Sequence, residues 1–200
     1  RLPNHATEAE LLAGGMYLSL GLYSEADRIF NRLLAGSLDR SVADRAFFYL
    51  ARIGYQRGHY EQAARNLARI QRPLPGELEP ERRLLESNVL MALGRYADAA
   101  AALKVWDDES SWAAFARFNL GVALVRSGDS AQGRMLLESV GNQPAVSEEQ
   151  RSLRDRANLA LGFAFFVVPN ASGVAHAAAL GALLGLIIYG VYDCTNMALL

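Results

Sequence analysis

The sequence predicts an all-α protein, a right-handed α-solenoid of about four and a half helix-turn-helix repeats followed by one long hydrophobic helix. Three observations predict this class. A pattern of glycine, small and large apolar residues recurs four times before residue 140. The segments between these repeats carry helix breakers and capping residues. Every charged residue except Asp193 lies between Arg1 and Arg156, so the chain ends in an almost uncharged segment.

Length and charge limit the classes of function. The chain has 200 residues and a net charge of −1, which fits one domain with an appendage. It has no basic field of the kind that binds nucleic acid, so we expect no nucleic-acid partner. Its one cysteine, Cys194, excludes an intrachain disulfide framework. We divide the chain into a repeat domain, residues 1–166, and a hydrophobic segment, residues 167–200.

Each repeat is defined by a glycine, and successive glycines are 37, 36 and 34 residues apart: Gly21, Gly58, Gly94 and Gly128. Seven residues earlier stands a small residue: Gly14, Ala51, Ser87 or Gly121. Five residues later stands another: Ala26, Ala63, Ala99 or Gly133. A large apolar residue follows the glycine by nine: Phe30, Leu67, Leu103 or Leu137. The spacing predicts two closely crossing helices joined by a turn in which the glycine is left-handed.

The linkers predict where the helices begin and end. The stretch RPLPGELEP, residues 72–80, breaks the chain before the third unit, and Pro80 suits a first helical turn. The stretch WDDESS, residues 106–111, separates the third unit from the fourth. Ser147 and Gln150 form a predicted capping box, which opens a helix over residues 147–166. That helix reads as the first half of a fifth unit, and a generic helical-hairpin bundle is the alternative to stacked repeats.

With Tyr23, Tyr60 and Tyr96 two residues after their glycines, the pattern is similar to the tetratricopeptide repeat over about residues 7–166. The resemblance implies a concave groove, lined by the first helix of each unit, that binds a protein or peptide. The family's groove positions fall on Arg45, Phe48, Arg52, Tyr55, Leu84, Asn88, Met91, Phe115, Phe118, Val122 and Arg126. Arginine and aromatic residues are enriched at binding hot spots. The family's carboxylate clamp of Lys, Arg and Asn is not reproduced.

No set of residues has the spacing of a catalytic or metal site. His5, His59 and His176 lie far apart, and no phosphate loop, nucleophile elbow or HExxH motif occurs. The acidic run DDES, residues 107–110, is better explained as the start of a helix than as a metal site. We therefore expect no enzymatic activity and no cofactor or metal.

Residues 173–200 read as one apolar helix, longer than the roughly 30 Å of a bilayer core. Gly181 and Gly185 form a G-x-x-x-G motif, and the single charge, Asp193, stands beside Thr195 and Asn196 as a polar cluster within the predicted membrane helix. The stretch GALLGLIIYGVYDCTNMA resembles a family of small bacterial membrane proteins of four predicted helices, over about residues 166–200. This resemblance implies a location and not a reaction. The alternative is a helix that caps the repeats by folding back on the fifth unit.

Together these patterns predict a protein–protein interaction scaffold tethered to a membrane, with a protein or peptide in the groove and lipid or other membrane helices at the C-terminus. Arg151, Arg154 and Arg156 place the repeats on the cytoplasmic side of a bacterial inner membrane, and the periplasmic side stays open. Two other functions remain: a regulatory arm of a small membrane transport or sensing protein, and a soluble repeat protein with a capping helix. The two resemblances meet near residues 162–168, where either a natural fusion or a chain joined from two proteins is the explanation.

Overall fold

The structure is a computed structural model that describes residues 3–104, 106 and 112–166. Across these ranges the chain forms nine α-helices and no strand. The predicted all-α class is therefore confirmed for the described part. The chain divides into two compact units, Arg1–Arg95 and Tyr96–Leu200.

Unit 1 contains five helices: α1 (Pro3–Ser19), α2 (Tyr23–Leu34), α3 (Arg40–Gln56), α4 (Tyr60–Leu67) and α5 (Leu78–Ala92). Helix α1 packs on α2 and α3 packs on α4, and the short turns between them make each pair a helical hairpin. Helix α3 also contacts both helices of the first hairpin, and α5 contacts both helices of the second. Two apolar clusters fill the spaces between these helices, one around Phe30 and Ile53 and one around Phe48 and Leu85.

Unit 2 contains four helices: α6 (Tyr96–Leu103), α7 (Ala113–Ser127), α8 (Ser130–Gly141) and α9 (Glu148–Phe166). Helices α7 and α8 form a hairpin, α6 packs on α7, and α9 packs on both members of the hairpin. One apolar cluster, which includes Phe118, Leu137 and Leu153, holds α7, α8 and α9 together.

The glycines that define the repeats are left-handed, as the sequence predicts. Gly21, Gly58, Gly94 and Gly128 have φ angles of 72°, 75°, 74° and 105°. Among the described residues no side-chain-bearing residue adopts a positive φ, so this conformation is left entirely to glycine. The turns at Gly21, Gly58 and Gly128 each join two helices that pack on one another.

In the first and fourth hairpins the small residues of the repeat lie where the two helices cross, as predicted. A Cβ added to Gly14 would lie 2.6 Å from a ring carbon of Phe30. A Cβ added to Gly121 would lie 2.9 Å from Cγ of Leu137. In both hairpins the large residue therefore packs directly against the small residue of the first helix. Ala26, Ala63 and Ala99 are fully buried at the equivalent place of the second helix.

The helix ends follow the predicted capping chemistry. The backbone N–H of Ser147 donates to Oε1 of Gln150 at 3.2 Å, and the N–H of Gln150 donates to Oγ of Ser147 at 3.2 Å. This reciprocal pair is the predicted capping box, and α9 starts directly after Ser147. Pro80 lies in the first turn of α5, also as predicted. The acidic run at residues 107–110 lies outside the described residues.

The predicted hydrophobic segment, with Asp193, Thr195 and Asn196, also lies outside the described residues. None of the helices in the described ranges combines the length and the apolar character that crossing a bilayer requires. The membrane segment at residues 167–200 stays a prediction.

Candidate functional site

The three first helices of unit 1 bring four charged side chains into a row. Glu8 lies on α1, Arg45 and Arg52 lie on α3, and Glu81 lies on α5. The guanidinium of Arg45 pairs with Oε1 of Glu8, and Nη1 of Arg52 lies 3.5 Å from Oε2 of Glu81. With Tyr49, which lies among them, these residues form what we call the polar ladder. Its two positive and two negative charges cancel.

Tyr49 joins the polar ladder to the core beneath it. Its ring stacks on Phe30 of α2, with 5.1 Å between ring centroids and 16° between ring planes. Burial raises the pKa of Tyr49, although the charge of Arg52 acts against this rise. The phenol therefore stays protonated at neutral pH and is available as a hydrogen-bond donor.

Desolvation dominates the electrostatics of the pair between Arg52 and Glu81. The two side chains are only 13% and 17% exposed. Burial lowers the pKa of Arg52, and Glu81 only partly opposes this effect. Burial likewise raises the pKa of Glu81 against the influence of Arg52. Both shifts disfavour the charged form, so the attraction within the pair does not fully offset the loss of water.

The structure distributes the predicted groove residues of unit 1 between surface and core. Arg45 and Arg52 belong to the polar ladder. Three others are buried, with exposures of 0%, 5% and 3%: Phe48, Tyr55 and Asn88. Leu84 is buried as well, whereas Met91 is half-buried. A partner on this face would meet the two arginines and Met91, because the buried residues pack against neighbouring helices.

The difference arises from the helical register of α3. The predicted groove positions on α3 are Arg45 and, three residues later, Phe48. On the face that carries the polar ladder, Arg45 is followed four residues later by Tyr49. At about 100° per residue, both steps stay on one side of the helix, so spacing alone does not separate them. The sequence analysis did not identify Glu8 and Glu81 as site residues, although their spacing in the repeat marks them. They lie 37 residues before and 36 residues after Arg45, at the same repeat position, so opposite charges alternate on successive first helices.

In unit 2 two of the predicted groove residues line a small apolar cavity. Phe118 is 4% exposed and belongs to the core. Val122 and Arg126 are half-buried and line a cavity of about 20 Å³, together with residues of α7, α8 and α9. The guanidinium of Arg126 lies 4.5 Å from the ring centroid of Tyr96 and donates a hydrogen bond to its hydroxyl. Phe115, also half-buried, lies beside Trp112 with 6.1 Å between ring centroids.

One buried carboxylate has a structural explanation. Asp44 is 1% exposed and forms an ion pair with Arg40 at 2.8 Å. Its Oδ1 accepts a hydrogen bond from the backbone N–H of Gln71 at 3.1 Å. Asp44 thereby ties the start of α3 to the segment that follows α4. Nowhere in the described residues do three or more His, Cys, Asp or Glu side chains come together in a way that could hold a metal ion.

These features define an all-α protein of consecutive helical hairpins, in which the first helices of unit 1 carry a polar ladder. Comparison with protein-family models, with curated proteins and with solved structures finds no match to this chain. Function is therefore inferred from the chain's own residues.

Proposed function

We propose that this protein is an interaction scaffold that binds a protein or peptide partner through the first helices of its repeats and is tethered to a membrane by its C-terminal segment. The polar ladder is the observation that carries the proposal. Three successive first helices contribute polar side chains to one face, and each is fixed by a neighbouring helix. Rigid, partly desolvated arginine and tyrosine side chains are enriched among the residues that dominate binding energies.

The proposal includes a tetratricopeptide-like, right-handed solenoid of about four and a half repeats. The constant phase of Gly58, Gly94 and Gly128 in the sequence supports it. So do the close helix crossings within the first and fourth hairpins. Stacking is the physical requirement, because a single hairpin leaves one apolar face in water.

The charges of the ladder restrict the chemistry of the partner. Arg45 and Arg52 already face the carboxylates of Glu8 and Glu81, so an acidic partner would compete with groups held at close range. A neutral peptide backbone instead offers carbonyl acceptors and N–H donors without displacing either pair. We therefore propose an extended, largely uncharged peptide segment as the occupant of this face.

A photo-crosslinking experiment tests the partner-binding face. A photoreactive amino acid replaces Met91 on α5 or Tyr49 on α3, and a control replaces Met135, which is 70% exposed on α8. In cells that express the native gene, we expect discrete cross-linked protein bands from the two first-helix positions and none from position 135. Equal bands from all three positions, or bands from position 135 alone, would contradict the proposed face.

The membrane tether rests on the composition of residues 173–200, and we propose a bacterial inner membrane with the repeats on the cytoplasmic side. Fractionation of the full chain and of a chain lacking residues 173–200 tests it. We expect the full chain to sediment with membranes until detergent is added, and the shortened chain to stay in the supernatant. A soluble, monomeric full chain together with an aggregating shortened chain would show that the segment is a cap.

A further inference from the structure

Two glutamates in the first turn of α5 are similarly buried but differ in their hydrogen bonds. The side chains of Glu79 and Glu81 are 25% and 17% exposed. The carboxylate of Glu79 accepts hydrogen bonds from Nε and Nη2 of Arg82 at 3.0 and 2.7 Å, and from the backbone N–H of Leu74 at 2.8 Å. The Oε2 atom of Glu81 is buried and accepts no hydrogen bond from any described residue. Hydrogen bonds therefore compensate the charge of Glu79 and leave this oxygen of Glu81 uncompensated.

The two ion pairs of the polar ladder support their carboxylates to different degrees. Nη1 of Arg52 lies 3.5 Å from Oε2 of Glu81, which is longer than the roughly 2.7–2.9 Å of a charge-assisted hydrogen bond. At the other pair, Glu8 is in direct contact with the guanidinium of Arg45, and its side chain is 42% exposed. Glu8 therefore has both water and a close donor, whereas Glu81 has little of either.

The groups that act on Glu81 come from α3 and from the start of α5. Arg52 on α3 favours its charged form, and Glu77, directly before α5, opposes that form. The phenol of Tyr49 on α3 is in turn influenced by the charge of Glu81. Helix α4 also packs on α5, and its charged residues are exposed to solvent: Glu61 and Arg65. Burial has the largest effect and raises the pKa of Glu81, so removal of its remaining water would favour the neutral acid further.

We infer that binding of a partner to the polar ladder is coupled to uptake of one proton from solvent by the carboxylate of Glu81, so that the partner binds more tightly as pH falls. The inference rests on the proposed function, because the coupling needs a partner that covers this face. A covering peptide removes the water that still reaches Glu81, and the neutral acid is then favoured over the carboxylate. The guanidinium of Arg52 keeps its place 5.8 Å from the ring centroid of Phe48 and donates to a backbone carbonyl of the peptide.

Photo-crosslinking of the full chain in permeabilised cells tests the inference. A photoreactive amino acid replaces Met91, the cells are equilibrated at values between about pH 5 and pH 8, and the yield of the discrete cross-linked band is measured after irradiation. With no other substitution, we expect the yield to rise at least about threefold towards the acidic end, because bound Glu81 retains its proton to higher pH than unbound Glu81. Glu81→Gln, which is neutral and of similar shape, should give the high yield at every pH.

Glu86→Gln on the same helix is the matched control. Its carboxylate lies on α5 as well, but the side chain is 40% exposed and pairs with Arg82 at 2.9 Å. This variant should follow the pH profile of the chain without it. Circular dichroism shows whether each variant is folded, and where Glu81→Gln is not, Glu81→Met supplies a second neutral side chain of similar length.

The outcomes separate this inference from the proposed function. If position 91 gives no cross-linked band at any pH, the proposed binding face is wrong and the proton coupling falls with it. If a band forms with equal yield at every pH, the face stands and the proton coupling is overturned. A pH profile that is unchanged by neutral substitution of Glu81 also overturns the coupling, because the titrating group then lies elsewhere.

Discussion

A close approach between α7 and α8 in unit 2 leads to a sharp prediction for Gly133. A Cβ added to this residue of α8 would lie 2.7 Å from the carbonyl oxygen of Gly121 and 2.8 Å from the backbone nitrogen of Val125. Both atoms belong to the backbone of α7, so no side-chain rotation relieves the contact. Ordinary van der Waals contact begins at 3.4 Å, and α7 and α8 must therefore separate by about 0.7 Å.

The size of the effect follows from two opposing contributions. Overpacking of this kind costs about 1–3 kcal/mol. Alanine is favoured over glycine inside a helix by roughly 1 kcal/mol, which offsets part of that cost. We therefore expect Gly133→Ala to lower the free energy of unfolding by up to about 2 kcal/mol. With a denaturant slope of about 2 kcal/mol per molar urea, the unfolding midpoint falls by up to about 1 M.

Urea unfolding followed by tryptophan fluorescence measures this effect in the correct unit, because both tryptophans, Trp106 and Trp112, lie in unit 2. Gly162→Ala is the matched control: Gly162 lies inside α9 and has open space around its Cα, so alanine there should stabilise by about 0.5–1 kcal/mol. If both variants stabilise the protein, the close contact between α7 and α8 does not limit residue size, and the reasoning from the repeat spacing is refuted.

Four further variants test separate interactions. Asp44→Ala should lower stability by about 1–3 kcal/mol in a thermal melt followed by circular dichroism, because it leaves buried donors without an acceptor; an unchanged melt would contradict the tie to the segment after α4. Glu79→Gln should destabilise the protein most at neutral pH and least well below pH 4.5, the ordinary pKa of a glutamate side chain. Although burial opposes the change, hydrogen bonds from Arg82 and a backbone N–H lower the pKa of Glu79, so its stabilising effect is lost as pH falls. Glu81→Gln should show the opposite trend between about pH 3 and 7: burial raises the pKa of Glu81, so wild-type stability is lost as pH rises through that pKa. Parallel pH profiles for the two glutamate variants would contradict this assignment. Ser147→Ala should cost about 1 kcal/mol through loss of the capping box, whereas Ser139→Ala on the exposed face of α8 should cost little in the same assay.

Local chemistry explains why the helices and turns were predictable from the sequence. The left-handed turn at Gly58 requires only that one residue lack a Cβ, and the capping box at Ser147 and Gln150 involves residues three apart. The close contact of Gly14 with Phe30 is also encoded at a fixed distance along the chain, because one short turn joins their helices. Such features depend on residues that are close in sequence, so a spacing that recurs in the sequence is enough to predict them.

The proposed partner-binding face was less predictable because it depends on which helices lie side by side. Phe48 and Tyr49 are adjacent residues that differ by about 100° in direction around α3. Which of them lies on the surface is decided only by the packing of α1, α2 and α5. The pairing of Arg45 with Glu8 joins residues 37 positions apart. That pairing follows from the repeat only once successive first helices are known to be in contact, as α1 and α3 are.

Removing water from the charged side chains of the polar ladder costs free energy, and this cost restricts which partner could bind there under the proposed function. The pKa shifts of Arg52 and Glu81 both disfavour charge, so the pair is held in place by the packing of α3 and α5 and contributes little net stability. A partner that covers the ladder removes more water from the same charges. It therefore has to supply hydrogen bonds in return, since an aliphatic cover would add cost without compensation. This asymmetry selects a partner that presents backbone amides or polar side chains at the spacing of the first helices.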